Sequence, residues 1–320
     1  MVGAGFSRSA AISGDVNKRL PLWPHLSAIL AAELDADTKS EPLRLAQEYC
    51  AHFGKQALHD LVKKEVNDNA WTSGALHSSL LRLPWSEVLT TNWDTLLERA
   101  SSSVYQPIYS VVCRQEELAS TRSPRIVKLH GTIDITADLV FTQEDYRQYP
   151  QRHAAFVNFA RQVFIENELC LLGFSGDDPN FLQWAGGVRD QLETSSRRMY
   201  LVGALNLTAA KRNYLEAFNV APIDLGHLVA EYDDPDVKHA RAAELFLQEL
   251  ENLKPKPRWE LLPTRLYRTT LTSEEIDAKH NDPLHAAALL ERQLATLETD
   301  RTSYPHWLVC PAEVRRQLQS

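Results

Sequence analysis

Three times in this chain a short apolar run breaks off into a polar or glycine-rich turn: Val2 into Gly3, Val88-Leu89 into Thr90, and Ile126-Val127 into His130. Segments with apolar residues at three- and four-residue spacing lie around them. Short, continuously apolar strands alternating with amphipathic helices predict an α/β fold, a parallel sheet with helices on both faces. In such a sheet the carboxyl ends of the strands gather along one crevice, where ligands bind. Three loops are therefore expected to bring a backbone cradle, an amide–carboxylate pair and an imidazole to one place.

The pattern along the chain fills in the rest. Helical periodicity at 24–33, 42–53, 55–66 and 76–83 predicts a helical insertion over the crevice. A strand follows at 86–90, a helix at 93–100, and strands at 105–112 and 125–129. The run Leu139-Val140-Phe141 leading to Tyr149 reads as a short strand and turn. Helices are expected at 154–167, 178–193, 208–218 and 235–253, with strands at 168–172, 199–203 and 221–225. The cation- and proline-rich run Lys254-Pro255-Lys256-Pro257-Arg258 breaks the periodicity. It divides a domain at 1–253 from a linker at 254–264 and the start of a helical C-terminal region at 265–320. Only Met1 and Val2 precede the glycine turn, against about five residues in an ordinary strand. The first strand is accordingly expected to be truncated.

Charge and composition remove several classes of function. Among 320 residues, 34 Lys and Arg face 42 Asp and Glu, a net charge of −8 without a basic block. Nucleic acid and anionic lipid are not expected as direct ligands. No apolar stretch is long enough for a membrane span, and no basic-then-apolar leader opens the chain, so a cytoplasmic location is expected. The four cysteines, Cys50, Cys113, Cys170 and Cys310, are too far apart to suggest a metal pair or a disulfide framework.

Each motif has a structural and a functional reading. Gly3 and Gly5 let a backbone approach a pyrophosphate, and Ser7 can cap the next helix, but many strand–helix junctions use such a turn without a ligand. Arg8 is either a phosphate partner or a solvated arginine. Asn92 and Asp94 stand on a strand-to-helix loop, where either can cap the helix. Alternatively Asn92 orients a ribose hydroxyl or a water while Asp94 fixes the loop. His130 before Gly131 exposes an imidazole at a strand end, though a lone histidine there is often structural. In Gly173-Phe174-Ser175-Gly176-Asp177-Asp178-Pro179-Asn180, small residues suit contact with a nucleotide and Asp178 suits the cap of the following helix.

Taken in order, Gly-Ala-Gly-Phe-Ser at 3–7, Thr-Thr-Asn-Trp-Asp at 90–94, Lys-Leu-His-Gly at 128–131 and Gly-Phe-Ser-Gly-Asp-Asp at 173–178 resemble the motif set of the SIR2 (sirtuin-like) family. The resemblance covers about residues 1–250. It is to the bacterial branch found as effector domains of anti-phage (abortive infection) defence proteins. It implies a Rossmann-like fold that takes NAD+ as substrate. It assigns Gly3, Ala4, Gly5, Phe6 and Ser7 to the phosphates, and Thr91 and Asn92 to the nicotinamide ribose with Asp94 beside them. His130 becomes the catalytic base, and Gly173, Ser175 and Asp177 line the adenosine end. Deacetylating sirtuins carry paired cysteines after the histidine, whereas 131–167 contains none, so no zinc is expected. The implied reaction is hydrolysis of NAD+ to ADP-ribose and nicotinamide. The alternatives are a regulatory module that binds NAD or ADP-ribose without catalysis, and a zinc-free NAD-dependent protein deacylase. A homo-oligomer, and a sensor domain or partner protein responding to phage, are the partners the resemblance implies.

Overall fold

The computed structural model describes residues 1–12, 18–37 and 40–253, together with 282–284, 286–288 and 291. Met1–Leu253 forms one compact unit, and a second unit begins at Lys254. The linker expected at 254–264 lies outside the described residues. Of the helical region expected at 265–320, residues 282–284, 286–288 and 291 are described, and all of these but 282 are helical.

The first unit runs α1 (Ala4–Ser7), β1 (Ala11–Ile12), α2 (Trp23–Leu34), α3 (Pro42–Phe53), α4 (Lys55–Val66), β2 (Trp71–Thr72) and α5 (Ala75–Arg82). It continues with β3 (Glu87–Thr90), α6 (Leu96–Ser101), β4 (Ser110–Val112), β5 (Arg125–Lys128), α7 (Gln143–Arg152), α8 (Ala154–Glu166) and β6 (Leu169–Leu172). α9 (Pro179–Leu192), β7 (Met199–Gly203), α10 (Ala209–Ala217), β8 (Val220–Asp224) and α11 (Pro235–Leu253) close it.

β3, β5 and β4 pair in parallel in that order, as do β6, β7 and β8. Val2 joins the two halves, bridging in parallel to Thr90 of β3 on one side and to Leu172 of β6 on the other. The full order is therefore β4-β5-β3-Val2-β6-β7-β8. Apart from the extra edge strand β4, this is the doubly wound Rossmann order, whose direction reverses between the first strand and its fourth-strand neighbour. That switch point falls between Val2 and β6.

Alternate residues along each strand enter different cores. Leu89, Val127, Leu171 and Leu201 pack with Phe156, Phe164 and Trp184 from α8 and α9. Val88, Ile126, Leu172 and Val202 pack on the other face with Leu80, Leu97 and Leu247 from α5, α6 and α11. Both faces are covered, which is why these strands read as apolar runs rather than an alternating pattern. The insertion forms its own core of Leu30, Leu45, Leu58 and Val62, closed by Ile133, Leu139 and Phe141 from the loop after β5. No helix among the described residues is long and apolar enough to cross a membrane.

Two local readings are corrected. The segment expected as a strand and turn before Tyr149 instead contains α7. Thr142 caps it, its hydroxyl accepting from the Asp145 amide at 3.1 Å while Asp145 accepts from the Thr142 amide at 3.0 Å. This reciprocal capping fixes a helix start. Leu139, Val140 and Phe141 are buried but pair with no strand, their apolar character serving the insertion core and the face of α8. The strand expected at 105–112 shrinks to Ser110–Val112, because among the described residues it is an edge strand paired only with β5, and Tyr105 and Ile108 ahead of it are exposed.

Candidate active site

The turn after Val2 is held against the turn after β6 by main-chain contacts. The Gly3 amide donates to the Leu172 carbonyl at 3.0 Å and the Gly5 amide to the Gly173 carbonyl at 2.9 Å. Gly173 has φ +58°, and a Cβ there would lie 2.1 Å from the Phe6 nitrogen. Small residues here are thus required by one backbone lying on another at the switch point. Gly173→Ala is expected to cost well over about 1 kcal/mol, since it combines an unfavourable φ with overlap on main chain. A melting temperature equal to the parent's would contradict that packing.

Ser7 lies inside α1 and caps no following helix. Its buried hydroxyl donates to Asp94 Oδ2 at 2.8 Å and accepts from Asn92 Nδ2 at 2.9 Å. Asp94 Oδ1 accepts from the Leu96 amide at 3.2 Å, so Asp94 does support the start of α6. Arg8 is neither a solvated side chain nor open to a phosphate, because it forks onto Asp236 at the start of α11 and donates to the Leu20 carbonyl at 2.8 Å.

The loops bearing Asn92 and His130 run side by side. β3 and β5 are in register at Thr90 and Lys128, and Asn92 and His130 each stand two positions beyond that pair. The Leu129 amide donates to the Thr90 carbonyl at 2.9 Å, and the Ile133 amide to the Trp93 carbonyl at 2.9 Å. Lys128, wholly buried, links them further. Its ammonium donates to the Asp94 carbonyl and sits 3.0 Å from Glu98 Oε1. Burial opposes its charge, but Glu98 and Asp94 together outweigh burial and hold the ammonium above the usual lysine range. Burial also pushes the Glu98 carboxyl up, against the pull of Lys128.

His130 is 2% exposed. Asn180, in the first turn of α9, places Nδ2 3.1 Å from His130 Nε2. On the other side of the ring, the Tyr146 hydroxyl lies 3.5 Å from Nδ1 and donates to Asp178 Oδ2 at 3.0 Å. Asp178 also caps α9, its Oδ1 accepting from the Phe181 amide at 3.0 Å, as its position before Pro179 implies. Burial lowers the His130 pKa, outweighing the opposite pull of Asp178. The imidazole is therefore neutral near pH 7, the form able to accept a proton.

Asn92 is 8% exposed. Neither Asn92 nor His130 lines the cavity of about 120 Å³ beside Met1, Ser86 and Glu168, which lies at the opposite, amino-terminal ends of β3 and β6. Nor do they line the cleft of about 290 Å³ between α4 and residues 133–139. In this structure Asn180 occupies His130 Nε2 and Ser7 takes one hydrogen of the Asn92 amide. Ser175 and Asp177 are exposed, with the Ser175 hydroxyl accepting from the Asp177 amide at 3.3 Å.

Beneath this site His77 is fully buried, its ring edge-on to Phe6 at 5.2 Å, and its Nε2 meets no hydrogen-bond partner among the described residues. Burial drives its pKa from 6.5 down to about 4. Between those values the unfolded chain binds the proton and the folded chain does not, so stability falls as pH is lowered through that window. The expected contribution to the slope is about 1.4 kcal/mol per pH unit. Thermal unfolding of the parent and of His77→Gln between pH 7 and pH 4 checks this; identical pH dependence would rule it out.

Residues 86–223 match the SIR2-like domain family model. The match spans Asn92, Asp94, His130 and the Gly173 loop, and leaves Gly3–Ser7 outside it. The chain is 30% identical over 206 residues to "NAD(+) hydrolase ThsA" of Acinetobacter baumannii (strain 532279), covering 62% of this chain and 41% of that protein. It is 28% identical over 211 residues to "NAD(+) hydrolase ThsA" of Bacillus cereus (strain MSX-D12), with the same shares. "Defense-associated sirtuin 2" of Bacillus subtilis is 22% identical over 223 residues, covering 67% of this chain and 22% of that protein. The chain thus spans about two-fifths of the length of the ThsA relatives it matches. Asn180 and Tyr146 are the members of the site that sequence reading missed. Asn180 sits fifty residues from His130, and Tyr146 lies inside a helix whose segment reads as a short strand and turn, with no local pattern marking either.

Proposed function

We propose that the domain at 1–253 hydrolyses NAD+ to ADP-ribose and nicotinamide. The observation that carries this reading is the placing of Asn92 and His130 on hydrogen-bonded neighbouring loops, beyond adjacent strand ends of a SIR2-like Rossmann sheet. Nicotinamide in NAD+ is already a cationic leaving group, so cleavage needs no acid. It needs a bound dinucleotide, a site tolerant of an oxocarbenium-like ribose, and an oriented water. In this reading the glycine turn at 3–7 takes the phosphates, Thr91 lies by the ribose, and Gly173, Ser175 and Asp177 border the adenosine. Asn92 orients the water or a ribose hydroxyl, Asp94 holds Asn92 in place through Ser7, and His130 takes the proton. Water adds to the ribose carbon as the nicotinamide bond breaks, and one proton is released.

The names of the relatives support NAD+ as the substrate and defence as the setting. A cytoplasmic homo-oligomer, with a sensor domain or partner protein that responds to phage, belongs to the same reading. Incubation of the purified chain with NAD+ and separation of the products tests it. Free nicotinamide without any acyl substrate supports hydrolysis. Tight binding of NAD or ADP-ribose with no nicotinamide released would replace it by the binding-module reading, against which the presence of both Asn92 and His130 counts.

A further inference from the structure

His130 is gripped at both ring nitrogens, and the two grips are chemically unlike. The carboxylate of Asp178 has no proton to give, so the Tyr146 hydroxyl, 3.0 Å away, must donate to it. The phenol oxygen then has only lone pairs left for His130, and His130 Nδ1 is the atom facing it. A hydrogen bond between the two requires the proton on Nδ1. Nε2 is left bare, and it is here that the amide of Asn180 stands at 3.1 Å.

The second oxygen of Asp178 is held by the Phe181 amide, and the ring of Tyr146 packs edge-on to His130 at 5.2 Å and 78°. Tyr149 presents its edge from the same helix at 5.6 Å, its hydroxyl tied to the Leu129 carbonyl. Each part of the arrangement is thus fixed by a further contact.

We propose that Tyr146 and Asp178 are positioning residues that set His130 as the Nδ1–H tautomer, so that bare Nε2 faces Asn180 and, when Asn180 yields, the substrate. Free imidazole side chains favour the other tautomer, so the bridge has a definite task. The proposal rests on the NAD+ hydrolase reading for its consequence but not for its geometry. The 3.5 Å contact at Nδ1 is long, as catalytic hydrogen bonds often are without ligand. In the complete set facing the ring, Asp178 and Asp145 favour protonation, His153 opposes it, and burial opposes it most.

Two variants preserve shape. Tyr146→Phe keeps the edge-on ring and loses the bridge. Asp178→Asn keeps a good helix cap and loses the carboxylate that directs the phenol proton. Nitrogen NMR of histidine-labelled full chain reads the His130 tautomer without any turnover, and the His130→Gln spectrum assigns its signals. The parent is expected to show a protonated Nδ1 and a bare Nε2, with that pattern lost or mixed in both variants. NAD+ turnover is expected to show kcat lower by about 10- to 100-fold with KM within about twofold, and its acid limb displaced. A proton on Nε2 in the parent, or both variants keeping the parent tautomer and kcat, would overturn the proposal. The expected tautomer in a chain that never releases nicotinamide would leave the positioning intact and sink the hydrolase reading instead.

Discussion

His130→Ala and Asn92→Ala are each expected to slow NAD+ hydrolysis by about two to four orders of magnitude, the usual worth of a positioned acid–base or orienting group. The two losses differ in kind. Without His130 the attacking water keeps its proton into the transition state, and raising the pH recovers part of the rate. Without Asn92 the water or ribose hydroxyl loses its orientation, and pH brings no recovery. The double variant is expected to fall little below the worse single one, because groups that act on one step are not additive. Folding must be checked beside activity. Asn92→Ala removes a hydrogen bond to Ser7 that also steadies Asp94, a stability cost of about 1 kcal/mol. Parent-like turnover in both variants would end the assignment.

The largest effect on stability is expected at Lys128. Its ammonium is fully buried between the Asp94 carbonyl and Glu98. Lys128→Ala leaves the Glu98 carboxyl buried without its partner and opens a gap beneath the Asn92–Asp94 loop. Breaking a buried pair from one side costs about 3 to 5 kcal/mol, a large share of the 5 to 15 kcal/mol that holds an ordinary domain together. Removing both charges is expected to be far milder. Lys128→Met with Glu98→Leu replaces the pair by apolar volume, and such exchanges are often neutral. Denaturant titration of the two singles and the double decides it. A Lys128→Ala midpoint equal to the parent's, or a double no better than the single, would show that the pair is not what fixes this loop.

Much of the sheet could be read before any coordinates. Val88 and Leu89, Ile126 and Val127, and Leu171 and Leu172 gave themselves away as strands because both neighbours in each pair are apolar, and the structure sends one to each face. The strand-end placing of Asn92 and His130 followed from the same short runs. Side-chain partnership was less visible. Arg8 looked equally suited to a phosphate or to solvent, since its partner Asp236 lies 228 residues away. Thr142 and Asp145 carried a capping signal for α7, but the apolar triplet before them resembled a strand more strongly than those two residues resembled a cap. Asn180 was hidden for a different reason. An asparagine in a first helical turn is commonplace, and only three-dimensional closure reveals that it meets an imidazole.

The meeting of Gly3, Gly5 and Gly173 has a consequence for divergence within any lineage of such chains. Because main chain abuts main chain there, no single methyl can be absorbed by a side chain turning aside. Substitution at any of the three must await a rearranged turn opposite, and that turn is equally constrained. Main-chain packing alone therefore restricts this spot to glycine, before any contact with a ligand is considered.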